Sequence, residues 1–309
     1  MLDVPVLLIV YRRPDLAARV LDAIAAARPR RLFVAADGPR SDAEREACEL
    51  ARAAATAVTW PCDVLTDFAP RNLGCAPRVK SALDWFFEHV ERGIILEDDC
   101  LPAPDFFPFC DALLERYRDD ARVVHISGET YHTGVIDESY YFSKYSLTWG
   151  WATWRRAWRL YDRQFATWPA LRNRPETAAL FDTPDERRYW TTTFDQQHEG
   201  PLTDWDYAWW YTCMTHGLSI HPAVNLVTNA GSGTDATHTA GAAVCHRAVG
   251  TLGTPYRHPA RVVRNRAADL DTFDDRLVGA LLKHQRTWRH HAGRPARWLR
   301  RLLGRAPAP

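Results

Sequence analysis

Residues 93–99 read Gly-Ile-Ile-Leu-Glu-Asp-Asp, and no other stretch constrains this chain as tightly. The three apolar residues predict a short buried strand. Three carboxylates follow at its C-terminal end, where like charges in a confined space repel and raise one another's pKa. A divalent cation resolves that cost, because hard cations such as Mg²⁺ and Mn²⁺ prefer carboxylate oxygens and keep positions open for substrate phosphates. In open α/β sheets ligands bind outside the carboxyl ends of the strands, which is where these acids would lie. An isolated acid triplet can also be a solvated turn, so its surroundings have to decide.

Those surroundings alternate. Residues 5–10 are a continuous apolar run, the pattern of a buried parallel strand. Pro14 opens a helix over 15–27 with Leu16, Val20, Leu21 and Ile24 on one stripe. A second strand over 31–36 ends in the turn Asp37-Gly38-Pro39, and Ser41 with Glu44 predicts a capping box for a helix reaching residue 54. A third strand is expected at 58–60 and a helix from Gly74, with Val79, Leu83, Phe86, Phe87 and Val90 on its apolar face. After the acids, Pro104 opens a helix to about 117, and 123–127 is a further strand. This β-α-β-α order implies an α/β fold with a mostly parallel sheet flanked by helices. Residues 1–128 form its first half.

Residues 129–262 read differently. Nine of the chain's 13 Trp lie between Trp149 and Trp210. Tyr140, Tyr141 and Phe142 suggest a strand, 151–161, 185–198 and 205–216 suggest helices, and 220–227 another strand. Trp151, Trp154 and Trp158 recur at helical spacing, which favours core packing over sugar stacking. Residues 229–241 are a polar, Gly-rich loop containing His238. Residues 263–309 predict a helix and a basic tail. Over 286–305 that tail carries seven Arg, no acid and several Trp and Leu, a pattern compatible with peripheral contact at an anionic membrane or with a solvated tail.

Composition narrows the classes. A net charge of +1 gives no global field for nucleic acid. Seven scattered Cys without a CxxC pair suggest reduced thiols in a cytoplasmic protein. No apolar run reaches transmembrane length, and 4–10 is too short for a signal peptide.

Taken in order, these landmarks resemble a GT-A fold (Rossmann-like) glycosyltransferase, nearest to the N-acetylglucosaminyltransferase I group. The likeness rests on Leu7-Leu8-Ile9-Val10-Tyr11-Arg12-Arg13, Val34-Ala35-Ala36-Asp37, and Asn72-Leu73-Gly74 leading into a helix. It continues with Glu97-Asp98-Asp99 followed by Ala103-Pro104-Asp105-Phe106-Phe107, then Trp149-Gly150-Trp151, Trp205-Asp206 and Ala236-Thr237-His238. It spans roughly 4–240, and the acids with Ala-Pro-Asp-Phe-Phe are its most specific part. The resemblance implies an inverting, Mn²⁺- or Mg²⁺-dependent enzyme of polysaccharide biosynthesis. It would take a nucleotide-sugar donor, UDP-linked by preference, and a glycan or lipid-linked acceptor. Lacking the anchor of the Golgi members, the chain resembles a soluble bacterial-type relative, cytoplasmic or peripheral at the inner face of the membrane.

The same resemblance assigns roles. Asp99 would hold the metal, Asp98 would sit near the ribose or the metal's water shell, and Glu97 would face the sugar. Asp206 would be the base that takes the acceptor's proton, and Trp205 would contact the sugar. Asp37 would read the nucleotide, with Arg13 and Arg78 holding it, although the family has His at the position of Arg78. His238 would complete the metal shell from a closing loop, or be an idle loop residue. Asp204-Trp205-Asp206 is a second D-x-D, and Asp204 also suits a helix N-cap. Two other functions stay open. A metal-dependent nucleotidyltransferase would need a Lys- or Arg-rich phosphate loop after the first strand, and Tyr11-Arg12-Arg13-Pro14 is a poor match, having no glycine. A catalytically inactive carbohydrate-binding protein would have no need of the acids.

Overall fold

The computed structural model describes residues 1–200, 204–231 and 247–278. Ten strands are numbered in chain order: β1 (Val6–Val10), β2 (Arg31–Ala36), β3 (Asp63–Phe68), β4 (Arg92–Glu97), β5 (Cys100–Pro102), β6 (Val123–Ser127), β7 (Tyr140–Ser143), β8 (Trp151–Trp154), β9 (Leu218–Pro222) and β10 (Val227–Asn229). Eight of them form one sheet in the order β3-β2-β1-β4-β8-β6-β9-β7. The pairings β2–β3, β1–β2, β1–β4 and β6–β9 are parallel, and only β7 and β8 run against the rest. The expected α/β class with a mostly parallel sheet is therefore what the chain adopts. β5 and β10 form a separate antiparallel pair that joins Cys100 to Asn229.

Helices cover both faces because the central strands are apolar on both. Val6, Leu8 and Val10 of β1 pack toward α1 (Pro14–Ala27), α2 (Arg45–Thr56) and α4 (Phe106–Arg116). Leu7 and Ile9 point the other way, toward α3 (Cys75–His89), α5 (Arg155–Trp158) and α9 (Asp206–His216). This is the period-2 alternation of a strand read by two layers. A third, aromatic cluster joins Tyr145, Trp190, Trp210 and Tyr211 to Phe273 and Leu277. The small helices α6 (Trp168–Leu171) and α7 (Pro175–Ala178), with α8 (Pro184–Glu199), enclose it, and α10 (Arg266–Thr272) follows later.

Four local expectations are corrected. The third strand is Asp63–Phe68 rather than 58–60. As the edge of the sheet it is largely exposed, so it carries Asp63, Thr66 and Asp67 and lacks an apolar run. Residues 151–161 are not one helix. Trp151 and Trp154 lie on β8 between β4 and β6, and only Arg155–Trp158 is helical. The run 220–227 is divided between β9 and β10 by a bend. Ser41 and Glu44 form no capping box: a 3₁₀ turn, Asp42–Glu44, precedes α2, and Ser41 makes no side-chain cap. The Glu44 carboxylate instead accepts from the Tyr11 hydroxyl, from Arg12 Nη1 at 2.7 Å and from Arg40 N at 2.9 Å. Two donors from the end of β1 and one from the loop after β2 outcompete one backbone N–H.

Candidate functional site

The parallel strands β1, β2 and β4 end on the same side of the sheet, so Tyr11, Asp37 and Glu97 emerge together. They border a cavity of about 500 Å³. Arg13, Asp37, Arg78, Glu97, Asp98, Asp99, Trp205 and Asp206 all line it, although they come from widely separated parts of the chain. His238 lies outside the described residues. A second hollow of about 550 Å³ flanks α8, where Arg172 already pairs with Asp195 at 2.7 Å. It is away from the strand ends and holds none of the sequence-marked residues.

The acids form the floor. Asp98 is 3% exposed; it accepts from Tyr11 N at 3.3 Å and from Arg13 Nη2. The same guanidinium nitrogen reaches Asp99 Oδ2 at 2.9 Å. Burial pushes the Glu97 carboxyl up, and the charges of Asp99 and Asp98 push it further, against a smaller pull from Arg13. Asp206 adds to that rise, which puts α9's first residue in the same field as β4's last. Asp98 is also raised by burial, with Arg13 the main offset.

Backbone packs onto Asp99 from the other side. Its carbonyl accepts from Ala230 N at 2.7 Å, and Gly231 N donates to Asn229 Oδ1 at 2.8 Å. A Cβ at Gly231 would run into Asp99 Oδ2 and Arg13 Nη1. The Gly-rich segment therefore starts against the acids.

No group of three or more His, Cys, Asp or Glu among the described residues forms a ready cation cage. What exists is a pair of adjacent carboxylates sharing one guanidinium. That donor set fits a hard cation completing its shell with phosphate oxygens and water, the usual habit of Mg²⁺.

Several sequence-marked residues are committed elsewhere. Asp37 is buried and accepts from Gly38 N at 2.8 Å, Leu73 N at 2.9 Å, Gly74 N at 3.2 Å and Asn72 Nδ2 at 2.9 Å. Its carboxylate shapes the loop before α3 and contributes to the cavity wall from there. Arg78 is buried and bonds Asp67 through Oδ2 at 2.8 Å and the carbonyl at 2.7 Å. Trp205 is buried with its ring stacked on Trp151 at 5.8 Å. It forms wall more than open platform.

Other residues at the site are ones to which the sequence assigns no role. Tyr11 lies between the Arg12 and Arg40 guanidiniums, each under 6 Å from its ring. Gly150, at φ +64°, turns the chain so that Trp149 borders the cavity while Trp151 enters the core. Arg276 reaches the cavity from a π-helical turn, Phe273–Val278, and lies 4.7 Å over the Trp149 ring. Nothing local in the sequence marks Arg276, because its neighbours in space come from distant segments.

No family model matches the chain, and no curated protein does. Among solved structures, mouse xyloside xylosyltransferase 1 in its apo form is 13% identical. It covers 69% of this chain and 81% of its own, with a TM-score of 0.32. HddC from Yersinia pseudotuberculosis is 9% identical over 50% of this chain and 77% of its own, at 0.32. A UDP-glucose pyrophosphorylase complexed with UDP-glucose is 8% identical over 52% and 79%, at 0.31. At these scores none of the likenesses carries an argument about this chain, and the site has to be argued from its own geometry. No helix among the described residues is long and apolar enough to cross a membrane.

Proposed function

We propose that this chain is a glycosyltransferase that moves a sugar from a nucleotide-sugar, UDP-linked by preference, to a hydroxyl of a glycan or lipid-linked acceptor with inversion. The observation that carries the reading is the pair Asp98–Asp99, bridged by Arg13 at the floor of a strand-end cavity that Asp206 also lines. A buried and a half-buried carboxylate held together by one arginine are suited to exchange that arginine for a cation plus phosphate. Mn²⁺ or Mg²⁺ bound at Asp99 would neutralise the departing nucleoside diphosphate as a Lewis acid.

The chain's own groups supply the rest. Arg13, freed from the acids, can pair bidentately with a phosphate. Asp206 takes the proton from the acceptor hydroxyl as its oxygen attacks the anomeric carbon. Glu97 faces the sugar, and Trp149 and Trp205 form an apolar wall beside it. Asp37 acts on the nucleotide through the loop it holds. Arg78, tied to Asp67, supports the same wall. His238 and the basic tail at 286–305, both outside the described residues, are candidates for metal closure and membrane contact.

The test is metal-dependent turnover of a nucleotide-sugar panel, with the anomeric configuration of the product read by NMR. Slow hydrolysis or transfer that needs Mn²⁺ and inverts the anomeric carbon supports the reading. Release of pyrophosphate from a nucleoside triphosphate and a sugar phosphate would replace it with nucleotidyl transfer. Glycan binding without any donor turnover would replace it with the carbohydrate-binding reading.

A further inference from the structure

Five guanidiniums line the cavity, from Arg12, Arg13, Arg40, Arg78 and Arg276. Three have carboxylate partners: Arg12 pairs with Glu44, Arg13 with Asp98 and Asp99, and Arg78 with Asp67. Arg40 is exposed beside the Tyr11 ring, where water serves it. Arg276 is different. Its Nε is buried without a hydrogen-bond partner, and among the described residues its side chain makes no hydrogen bond or ion pair. Its guanidinium lies over the face of Trp149.

A guanidinium stays charged in any protein environment, so it cannot escape burial by losing a proton. The side chain is half-buried, and leaving its buried Nε–H unused is costly; such an orphaned group calls for an explanation. The residue is held there firmly. Phe273 and Leu277, on the same π-helical turn, are buried in the aromatic core. π-Helical turns are frequent at functional sites. Arg276 lines the cavity together with Trp149, Asp206 and Tyr207, and Glu129 and Asp206 are the carboxylates whose charges raise it most, while Arg13 serves the Asp98–Asp99 side.

We propose that Arg276 is the subsite for an oxyanion, a phosphate or a carboxylate, carried by the acceptor close to the hydroxyl that is glycosylated. The proposal rests on the glycosyltransferase reading of the cavity and names its acceptor class: acidic or phosphorylated sugars. Trp149 gives the same sugar an apolar face under the guanidinium, and its backbone N–H, donating to Glu129 Oε2 at 2.9 Å, fixes the chain there.

The experiment is a thermal-shift titration of the full chain held at saturating UDP and Mn²⁺, with glucuronate, glucose 6-phosphate or neutral methyl glucoside added. The nucleotide fills the diphosphate subsite first, so the added anion reports on a different place. At least one anionic sugar should raise Tm beyond methyl glucoside, and comparing the two tells carboxylate from phosphate. Arg276→Gln should weaken that response about tenfold or more, the usual cost of losing a charge-assisted pair. It should change the UDP–Mn²⁺ response less than twofold, and Arg276→Lys should keep part of the anion response. The ligand-free melt of each variant reports its folding. Equal anion responses in wild type and Arg276→Gln, or none in wild type, overturn the proposal. A proportional loss of the UDP–Mn²⁺ response would assign Arg276 to the donor instead and also overturn it. Absence of any nucleotide response in wild type is a separate result, which removes the glycosyltransferase reading itself.

Discussion

Arg13 Nη2 lies 2.9 Å from Asp99 Oδ2 and also bonds Asp98, so one guanidinium holds two adjacent acids together. On the proposed reading the same residue would be both the competitor of a divalent cation and the partner of its phosphates. Arg13→Gln should bind Mn²⁺ alone more tightly, because the competing charge is gone. It should bind a nucleoside diphosphate with Mn²⁺ about tenfold or more weakly, because a charge-assisted pair is lost. Calorimetric titration of each ligand checks both halves, and a parallel change in the two affinities would contradict the exchange.

The role proposed for Asp206 is on the acceptor and not on the donor. Asp206→Asn should keep the Mn²⁺-dependent nucleotide affinity and lose transfer by roughly 10²–10⁴-fold, the range for a general base. Near-normal turnover in that variant would assign the base elsewhere.

Gly231 presses against Asp99 with no room for a Cβ. Gly231→Ala should cost roughly 1–3 kcal/mol by overpacking or displace Asp99. Metal-dependent nucleotide binding should fall in either case. A variant with unchanged binding and an unchanged melt would show that the segment after Asn229 yields freely.

Glu129 gives the pH prediction. Burial is the main cause that raises its carboxyl from 4.5 to about 7, against smaller pulls from Arg276 and Trp149 N. An acid raised in the folded state binds more protons folded than unfolded. Its contribution is therefore present below the unfolded value and is lost as pH rises from about 4.5 through about 7. Glu129→Gln, which can still accept from Trp149 N, should lack that slope. At pH 8 it should be more stable than wild type by up to about 3 kcal/mol. Urea unfolding at pH 5 and pH 8 measures this, and an equal deficit at both values would contradict it.

Much of this arrangement was legible in the sequence because burial leaves an apolar signature. Residues 5–10, 31–36 and 93–97 read as strands since both their faces meet helices, and the acids after Leu96 announced the strand end. β3 was missed for the converse reason: an edge strand exposed on one side needs no apolar run. Trp151 and Trp154 misled because spacings of three and seven fit a helix, whereas tertiary pairing with Ile95 and Arg92 of β4 makes them strand. The hold of Asp37 on the loop before α3 leaves no local trace, since three of its four donors come from the loop around Asn72. Arg276 was invisible, because a site cation supplied by a packed C-terminal turn leaves no local pattern.

The most direct test of the central claim is the thermal shift of the purified chain with nucleoside diphosphates, with and without Mn²⁺, in wild type and Asp99→Ala. A ligand that binds only the native state raises Tm by mass action. The account predicts a Mn²⁺-dependent rise with one nucleotide series, UDP first, that Asp99→Ala abolishes while its ligand-free melt stays cooperative. No rise with any nucleotide in a well-folded wild type, or an equal rise in Asp99→Ala, would contradict it.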